Sequence, residues 1–111
     1  MTISVVIVAL NEQDWIENCI LSAKQIADEI IVVVDDRTMD KTAEIAKKMG
    51  AKVFTHKFEG FSELKNFAFS KTTGDWIFSL DSDERISKEL TGEIKKLLET
   101  NSENAAFYVN R

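Results

Sequence analysis

Two nearly uninterrupted runs of β-branched residues constrain the fold of this chain most strongly. Residues 3–10 read Ile-Ser-Val-Val-Ile-Val-Ala-Leu, and residues 30–34 read Ile-Ile-Val-Val-Val. Such side chains favour strands, and a strand that is apolar on both faces is typical of a parallel sheet covered by helices. Shorter apolar runs at 51–55, 75–80 and 106–109 predict three further strands of the same sheet.

Helical patterns separate these strands. A helix is predicted between each pair of neighbouring strands, in residues 15–23, 41–49, 61–71 and 87–98. Asn11, Asp40 and Ser87 precede three of these helices as typical N-cap residues, and Asp14 is placed to complete a capping box after Asn11. The order βαβαβαβαβ predicts an α/β fold, an open, Rossmann-like, mostly parallel sheet with helices on both faces.

Composition limits the class of protein. The 111 residues are 44% hydrophobic, which is enough to form one domain spanning 1–111. The net charge of −5 argues against nucleic acid as a partner, and no apolar run reaches the roughly 20 residues of a transmembrane segment. A single cysteine, Cys19, excludes an internal disulfide and favours a cytoplasmic location, with the thiol packed in the core.

Polar residues follow the first, second and fourth predicted strands. These are Asn11-Glu12, Asp35-Asp36 and the stretch Asp81-Ser82-Asp83-Glu84. Because the carboxyl ends of parallel strands meet at one edge of a sheet, we expect the three groups to converge there. The Asp-x-Asp spacing suits a hard divalent cation, Mg²⁺ or Mn²⁺. Taken alone, residues 81–84 fit a solvated acidic turn equally well.

Several common nucleotide and phosphate sites do not fit this pattern. The first strand ends without glycine, which excludes both the dinucleotide-binding fingerprint and the P-loop. The acidic positions do not fit a phosphorelay receiver, and Arg85 stands where a dehalogenase-type phosphatase needs threonine. What remains is a nucleoside diphosphate held through a metal. In that site Asp83 ligates the cation, Asp35 accepts hydrogen bonds from the base or ribose, and Lys65 contributes positive charge.

The motifs together resemble a known family. They include residues 4–7 with Asn11-Glu12, residues 28–35, the Asp-x-Thr of residues 40–42, residues 65–68 and the Asp-x-Asp of residues 80–85. Across nearly its whole length the chain resembles the N-terminal half of a family 2 glycosyltransferase of the GT-A fold. Residues 58–61 and 65–68 are similar to the subgroup of lipopolysaccharide-core glucosyltransferases.

The resemblance implies roles for individual residues. Asp83 would ligate Mg²⁺ or Mn²⁺, and Asp35 would contact the base of a UDP-sugar. The residues expected to bind the nucleotide-sugar are Ala9, Asn11, Glu12, Asp35, Lys65, Asp81 and Ser82.

The chain also departs from the family. Arg37 replaces a glycine that the family usually has after its second strand, so we expect a different loop or an ion pair between Arg37 and Asp36. The resemblance places the acceptor site and the catalytic base after the fifth strand, beyond Arg111. His56, the one histidine, is expected to be a surface residue and not that base.

Two functions are therefore compared. The first is an inverting glycosyltransferase that transfers sugar to the hydroxyl of an acceptor glycan or glycolipid in lipopolysaccharide or cell-envelope synthesis. It would act in the cytoplasm, including at the cytoplasmic face of the inner membrane. The second is a non-catalytic nucleotide-sugar-binding or interaction module. A homodimer formed through the edge strand 106–109 is a further alternative.

Overall fold

The computed structural model describes residues 2–100 and 106–109, with the backbone alone described for 97–100 and 106–109. Strands and helices alternate along the chain, as predicted. The elements are β1 (Ile3–Ala9), α1 (Ile16–Ala23), β2 (Glu29–Asp35), α2 (Thr42–Lys48), β3 (Lys52–His56), α3 (Phe61–Ser70), β4 (Trp76–Asp81), α4 (Lys88–Thr100) and β5 (Ala106–Val109).

All five strands lie in one parallel sheet, in the order β3-β2-β1-β4-β5. The chain builds outward from β1 to one side through β2 and β3, and then to the other side through β4 and β5. The direction of winding therefore changes between β1 and β4, and ligands of such sheets bind in the crevice at this switch. In the register of the central pair, Val8 lies opposite Asp81, so the end of β1 is level with the acidic residues that follow β4.

Helices cover both faces of the sheet, as predicted for this α/β fold. Alternate residues of β1 point to opposite faces, because side chains of a strand alternate with a period of two. Val5 and Ile7 pack in a cluster with buried residues of α1, α2 and α4. Val6 packs on the other face against Leu64 and Ala68 of α3. None of the helices within residues 2–100 is long and apolar enough to cross a bilayer.

The predicted N-cap of the first helix is wrong. Helix α1 begins at Ile16, and the backbone N–H groups of Trp15 and Ile16 donate to the carbonyl oxygen of Glu12 at 3.0 and 2.9 Å. Asn11 does not cap this helix; it has a φ of 50°, and its Oδ1 accepts a hydrogen bond from the backbone N–H of Met39 at 2.8 Å. The Asn11 side chain therefore bonds to a backbone group distant in the sequence and not to the first turn of α1.

The other two predicted caps form hydrogen bonds at helix starts. The backbone N–H of Leu90 donates to Ser87 Oγ at 3.0 Å, which confirms Ser87 as the cap of α4. Asp40 Oδ1 accepts from the backbone N–H of Thr42 at 3.0 Å and from the Thr42 hydroxyl, at the start of α2. Three strands run one residue beyond their predicted ends, so that β2 includes Asp35, β3 includes His56 and β4 includes Asp81.

Candidate functional site

An open pocket of about 320 Å³ lies at the carboxyl edge of the sheet, at the switch between β1 and β4. Residues from the ends of β1, β2 and β4 form it together with the first turns of α3. Its lining consists of Val8, Ala9, Leu10, Glu12, Asp35, Phe61, Lys65, Asp81, Ser82 and Asp83.

Seven of the eight residues predicted from the sequence to bind nucleotide-sugar or metal lie in this lining. They are Ala9, Glu12, Asp35, Lys65, Asp81, Ser82 and Asp83. The eighth predicted residue, Asn11, is not part of the pocket lining. The pocket thus brings together side chains from four separate elements, and their binding roles stay predictions.

Hydrogen bonds join the loop after β1 to the loop after β2 and hold Glu12 in the pocket. The backbone N–H of Glu12 donates to Thr42 Oγ1 at 2.9 Å, and that of Gln13 donates to Asp40 Oδ2 at 3.1 Å. The bond from Met39 to Asn11 belongs to the same set. Asn11 therefore positions its neighbour instead of lining the pocket. Burial raises the pKa of Glu12, and the negative charges of Asp83 and Asp40 raise it further.

Asp35 lies at the end of β2 and is 1% exposed. Arg37 donates hydrogen bonds to both of its carboxylate oxygens. Asp35 Oδ1 accepts from the Arg37 backbone N–H at 2.9 Å and from Arg37 Nε at 3.0 Å, while Oδ2 accepts from Nη2 at 2.6 Å. These hydrogen bonds hold the pKa of Asp35 below its usual value, although burial opposes them. The predicted ion pair of Arg37 with Asp36 is wrong. Asp36 Oδ1 instead accepts from the Phe58 backbone N–H at 3.1 Å.

Arg37 pairs with Asp35 for a local reason. A side-chain oxygen of aspartate readily accepts from the backbone N–H two residues later, which closes an Asx-turn. That turn brings the start of the Arg37 side chain back over the carboxylate. The guanidinium then lies 3.7 Å from the ring centroid of Phe58, and Phe58 contacts Phe61 edge-on with 5.3 Å between ring centroids. An arginine–aromatic wall thus runs from Asp35 to a residue of the pocket lining.

Glu84 braces the acidic turn that follows β4. The Asp81 backbone N–H donates to Glu84 Oε1 at 3.2 Å, and the Glu84 backbone N–H donates to the Asp81 carbonyl oxygen at 2.9 Å. Cys19 Sγ donates to the same carbonyl oxygen at 3.4 Å. Glu84 is buried, and its Oε2 has no hydrogen-bond partner among the described residues. Asp83 is left exposed at the tip of the turn.

The family model described as Glycosyl transferase family 2 matches residues 4–110. The chain belongs to glycosyl transferase family 2. Its N-terminal strand, its Asp-x-Asp turn and the intervening elements all fall within the match, in agreement with the resemblance found in the sequence.

The relatives that this chain matches are longer than the chain itself. An uncharacterized glycosyltransferase of Rickettsia bellii is 42% identical over 102 residues, which is 92% of this chain and 34% of the relative. The lipopolysaccharide core biosynthesis glycosyltransferase LpsC of Rhizobium meliloti is 28% identical over 116 residues, covering 100% of this chain and 42% of LpsC. The chain therefore spans about a third to two fifths of the length of these relatives.

The fold has a counterpart among solved structures. The crystal structure of S. aureus TarS 1–349 superposes with a TM-score of 0.74 at 23% sequence identity, covering 92% of this chain and 33% of that chain. At this level of identity the comparison establishes the shared α/β fold.

The pocket of this family 2 chain has the donor chemistry that a divalent cation needs. Glu12, Asp81 and Asp83 supply carboxylate oxygens to it, and Lys65 is the one cation in the lining within the described part of the chain. Within that part, no three His, Cys, Asp or Glu side chains are close enough together to hold a metal by themselves. A Mg²⁺ or Mn²⁺ ion would fit here with one or two protein carboxylates, because such ions keep waters and substrate phosphates as their other ligands.

Three lining residues of the family 2 pocket were not identified from the sequence. Val8 and Leu10 flank Ala9, the last residue of β1, and enter the lining with the end of that strand. Phe61 is 67% exposed at the first position of α3, directly after Gly60, whose φ is 111°. A large aromatic residue placed next to a glycine at the start of a helix was the available signal, since exposed aromatic side chains are frequent in binding sites.

His56 and Cys19 lie outside the pocket lining and make packing and hydrogen-bond contacts elsewhere. His56 Nε2 lies 2.9 Å from both carboxylate oxygens of Glu63, and its ring stacks on Phe67 with 3.8 Å between centroids. It is partly buried on β3 and not a free surface residue. Cys19 is buried in the core, as predicted, and burial, followed by the negative charge of Glu84, raises its pKa to about 12. A thiol with that pKa is not a nucleophile at neutral pH.

Proposed function

We propose that this chain is the donor-binding part of a glycosyltransferase that uses a UDP-sugar and a divalent metal ion. The observation that carries the proposal is the convergence of Glu12, Asp35, Lys65, Asp81 and Asp83 in one pocket at the switch of a family 2 sheet. A pocket of about 320 Å³ is within the size range of small-ligand sites.

Each group has a separate task in this proposal. Asp83 would ligate Mg²⁺ or Mn²⁺, which would supply Lewis-acid stabilisation to the diphosphate leaving group, and Asp81 would contact the ribose or the sugar. Lys65 stands on α3 beside the pocket and adds positive charge toward the phosphates. The side of the pocket formed by Asp35, with which Arg37 pairs, receives the base. Glu12 and Ser82 complete the polar lining toward ribose and sugar.

The transfer itself is a displacement at the anomeric carbon. The acceptor oxygen forms a bond to that carbon while the bond to the diphosphate oxygen breaks, which inverts the configuration. The acceptor hydroxyl loses its proton to a base that we place outside the described residues.

A cell-envelope glycan or glycolipid is the proposed acceptor. The relative LpsC is named for lipopolysaccharide core biosynthesis, which supports this choice. The proposed site of action is the cytoplasmic face of the inner membrane, where lipid-linked acceptors are available.

Calorimetric titration of UDP in the presence and absence of Mn²⁺ tests the donor site. We expect binding in the micromolar to millimolar range with Mn²⁺, and weaker binding of either ligand without the other, because each supplies ligands to the other. Asp83→Asn should abolish the dependence on Mn²⁺. Lys48→Ala, which removes an exposed charge from the far end of α2, is the matched control. A folded chain that binds no UDP at millimolar concentration with Mn²⁺ would refute the proposal.

A second measurement separates catalysis from binding. Slow hydrolysis of a UDP-sugar, with water in place of the acceptor, is expected to depend on Asp83 if the site is catalytic. Binding without any hydrolysis under the same conditions would favour the non-catalytic module.

A further inference from the structure

The carboxylate of Asp35 has no free acceptor position for a ligand. A carboxylate offers about four acceptor sites. Arg37 directs three N–H groups at the two oxygens, with Nε shared between Oδ1 at 3.0 Å and Oδ2 at 3.2 Å. Asp35 is also 1% exposed, so little of its carboxylate is open to a ligand. A base that needed a hydrogen-bond acceptor from Asp35 would have to displace the guanidinium.

The guanidinium of Arg37, in contrast, has donors to spare. An arginine side chain carries five N–H donors, of which Asp35 uses the one on Nε and one on Nη2. The remaining donor on Nη2 and both donors on Nη1 are left, and the side chain is 50% exposed. Next to the pocket-lining Asp35, at the end of β2, Arg37 therefore presents donors where the carboxylate alone would present acceptors.

Two contacts make this donor group rigid. The plane of the guanidinium lies over the ring of Phe58 at 3.7 Å, and the backbone of Phe58 is tied to Asp36 by a hydrogen bond of 3.1 Å. Phe58 in turn packs against Phe61, which lines the pocket. An arginine that is held by an ion pair and stacked on an aromatic ring loses little further freedom when it binds a ligand.

We propose that Arg37, and not Asp35, contacts the nucleobase, by donating a hydrogen bond to a carbonyl oxygen of uracil. Along one edge, uracil presents the acceptor O2, the donor N3–H and the acceptor O4. The N–H donors of Arg37 can therefore bind either carbonyl oxygen. Asp35 is then a positioning residue that orients the guanidinium. This inference rests on the proposed binding of a UDP-sugar.

UDP analogues distinguish the two contacts. N3-methyl-UDP keeps both carbonyl oxygens and lacks the N3–H donor, whereas 2-thio-UDP and 4-thio-UDP keep N3–H and replace one carbonyl oxygen each by sulfur, a weaker acceptor. With the wild-type chain and Mn²⁺, we expect N3-methyl-UDP to bind within about threefold of UDP. One thio analogue should bind about fivefold or more weakly, in line with the loss of one hydrogen bond.

Removal of Arg37 should reverse this pattern. In Arg37→Gly the carboxylate of Asp35 is free to accept from N3–H, so N3-methylation should now weaken binding by about tenfold, as expected for a hydrogen bond to a charged acceptor. The effect of thio substitution should disappear. Arg37→Ala, which adds no backbone freedom to the loop, should behave in the same way, and thermal unfolding verifies that both variants fold.

The outcomes separate the inference from the function on which it rests. If wild-type binding falls tenfold on N3-methylation and is insensitive to both thio substitutions, Asp35 takes the base directly and the role of Arg37 is wrong. If UDP binds neither the wild-type chain nor the variants, the proposed function fails and the inference fails with it. UDP binding with the expected analogue pattern supports both.

Discussion

Glu84 and Asp81 hydrogen-bond to each other in both directions across the acidic turn. The Glu84 side chain accepts from the Asp81 backbone N–H at 3.2 Å, and the Glu84 backbone N–H donates to the Asp81 carbonyl oxygen at 2.9 Å. The side chain that follows the Asp-x-Asp motif is therefore turned inward, while Asp83 stays at the surface of the pocket. From the sequence alone, Glu84 is predicted only to belong to an acidic cluster.

Replacing Glu84 tests this bracing role. Glu84→Ala leaves the Asp81 N–H without its partner, so we expect a loss of about 1–3 kcal/mol in the free energy of unfolding. Urea denaturation measures it, with the exposed helix residue Glu93→Ala as the control, which should change stability by less than about 0.5 kcal/mol. UDP binding with Mn²⁺ should weaken in Glu84→Ala at temperatures where the chain stays folded. An unchanged affinity would show that the turn holds its shape without Glu84.

Asn11 combines a left-handed backbone with a long-range hydrogen bond. Its φ is 50°, and its Oδ1 accepts from the Met39 N–H at 2.8 Å. Asn11→Gly keeps the backbone conformation accessible and loses only the hydrogen bond, which costs about 0.5–1.5 kcal/mol. Asn11→Ala loses the bond and also adds a left-handed alanine at about 1 kcal/mol, so it should be the less stable variant in chemical denaturation. Equal stabilities would contradict the backbone part of this account.

Glu29 should make stability depend on pH under acidic conditions. Burial opposes ionisation of its carboxyl, but hydrogen bonds from Lys52, Ser4 and Thr73 outweigh it and lower the pKa of Glu29 from 4.5 to about 2. A depressed pKa in the folded state contributes stability that is present above the unfolded value and is lost as pH falls through the folded value. The free energy of unfolding should therefore decline between about pH 4.5 and pH 2.

Glu29→Gln provides the comparison for this pH range. The variant cannot ionise at position 29, so its stability curve should be flatter than that of the wild type between pH 4.5 and pH 2. Thermal unfolding at several pH values measures both curves. If the two curves run parallel, carboxylates other than Glu29 cause the loss of stability in acid.

Gly74 and Gly92 should respond in opposite ways to alanine. A Cβ at Gly74 would lie 2.6 Å from Ser4 Oγ and 2.8 Å from the Ser4 backbone nitrogen, and the Gly74 N–H donates to that same Oγ at 2.9 Å. Gly74→Ala must therefore push β4 away from β1, and we expect a loss of more than about 2 kcal/mol. Gly92 lies inside α4 with nothing within 4 Å of a new Cβ, so Gly92→Ala should gain about 0.5–1 kcal/mol. Melting temperatures of the two variants on opposite sides of the wild type would confirm the difference.

Much of the fold was accessible from the sequence because its signals are local. The β-branched run of residues 3–10 is apolar on both faces, and this pattern is compatible with few structures other than a central strand between helices. The alternation of strands and helices then implied a parallel sheet, and the sheet implied a common edge for its polar strand ends. Ala9, Asp35 and Asp81 meet at this edge in the structure.

The parts that were predicted wrongly depend on partners distant in the sequence or on choices between close alternatives. Asn11 is an ordinary N-cap candidate in the sequence, but the N–H that it satisfies belongs to Met39, 28 positions away. Arg37 has two neighbouring carboxylates, and only the direction of the chain after β2 decides that it binds Asp35 while Asp36 binds the backbone of Phe58. Phe61 lines the pocket because α3, which packs on one face of the sheet, begins at its carboxyl edge.

The sequence by itself determined the order of the elements, the edge of the sheet that carries the site, and the carboxylates placed there, because apolar periodicity and the positions of strand ends are local properties. Only the tertiary structure decided which donor satisfies which carboxylate. Arg37 pairs with Asp35, and the Asp81 backbone N–H donates to the Glu84 side chain. Asp83 is exposed in the pocket lining. Hydrogen bonds are directional and short-ranged, so these pairings depend on how neighbouring loops pack and not on residue type alone.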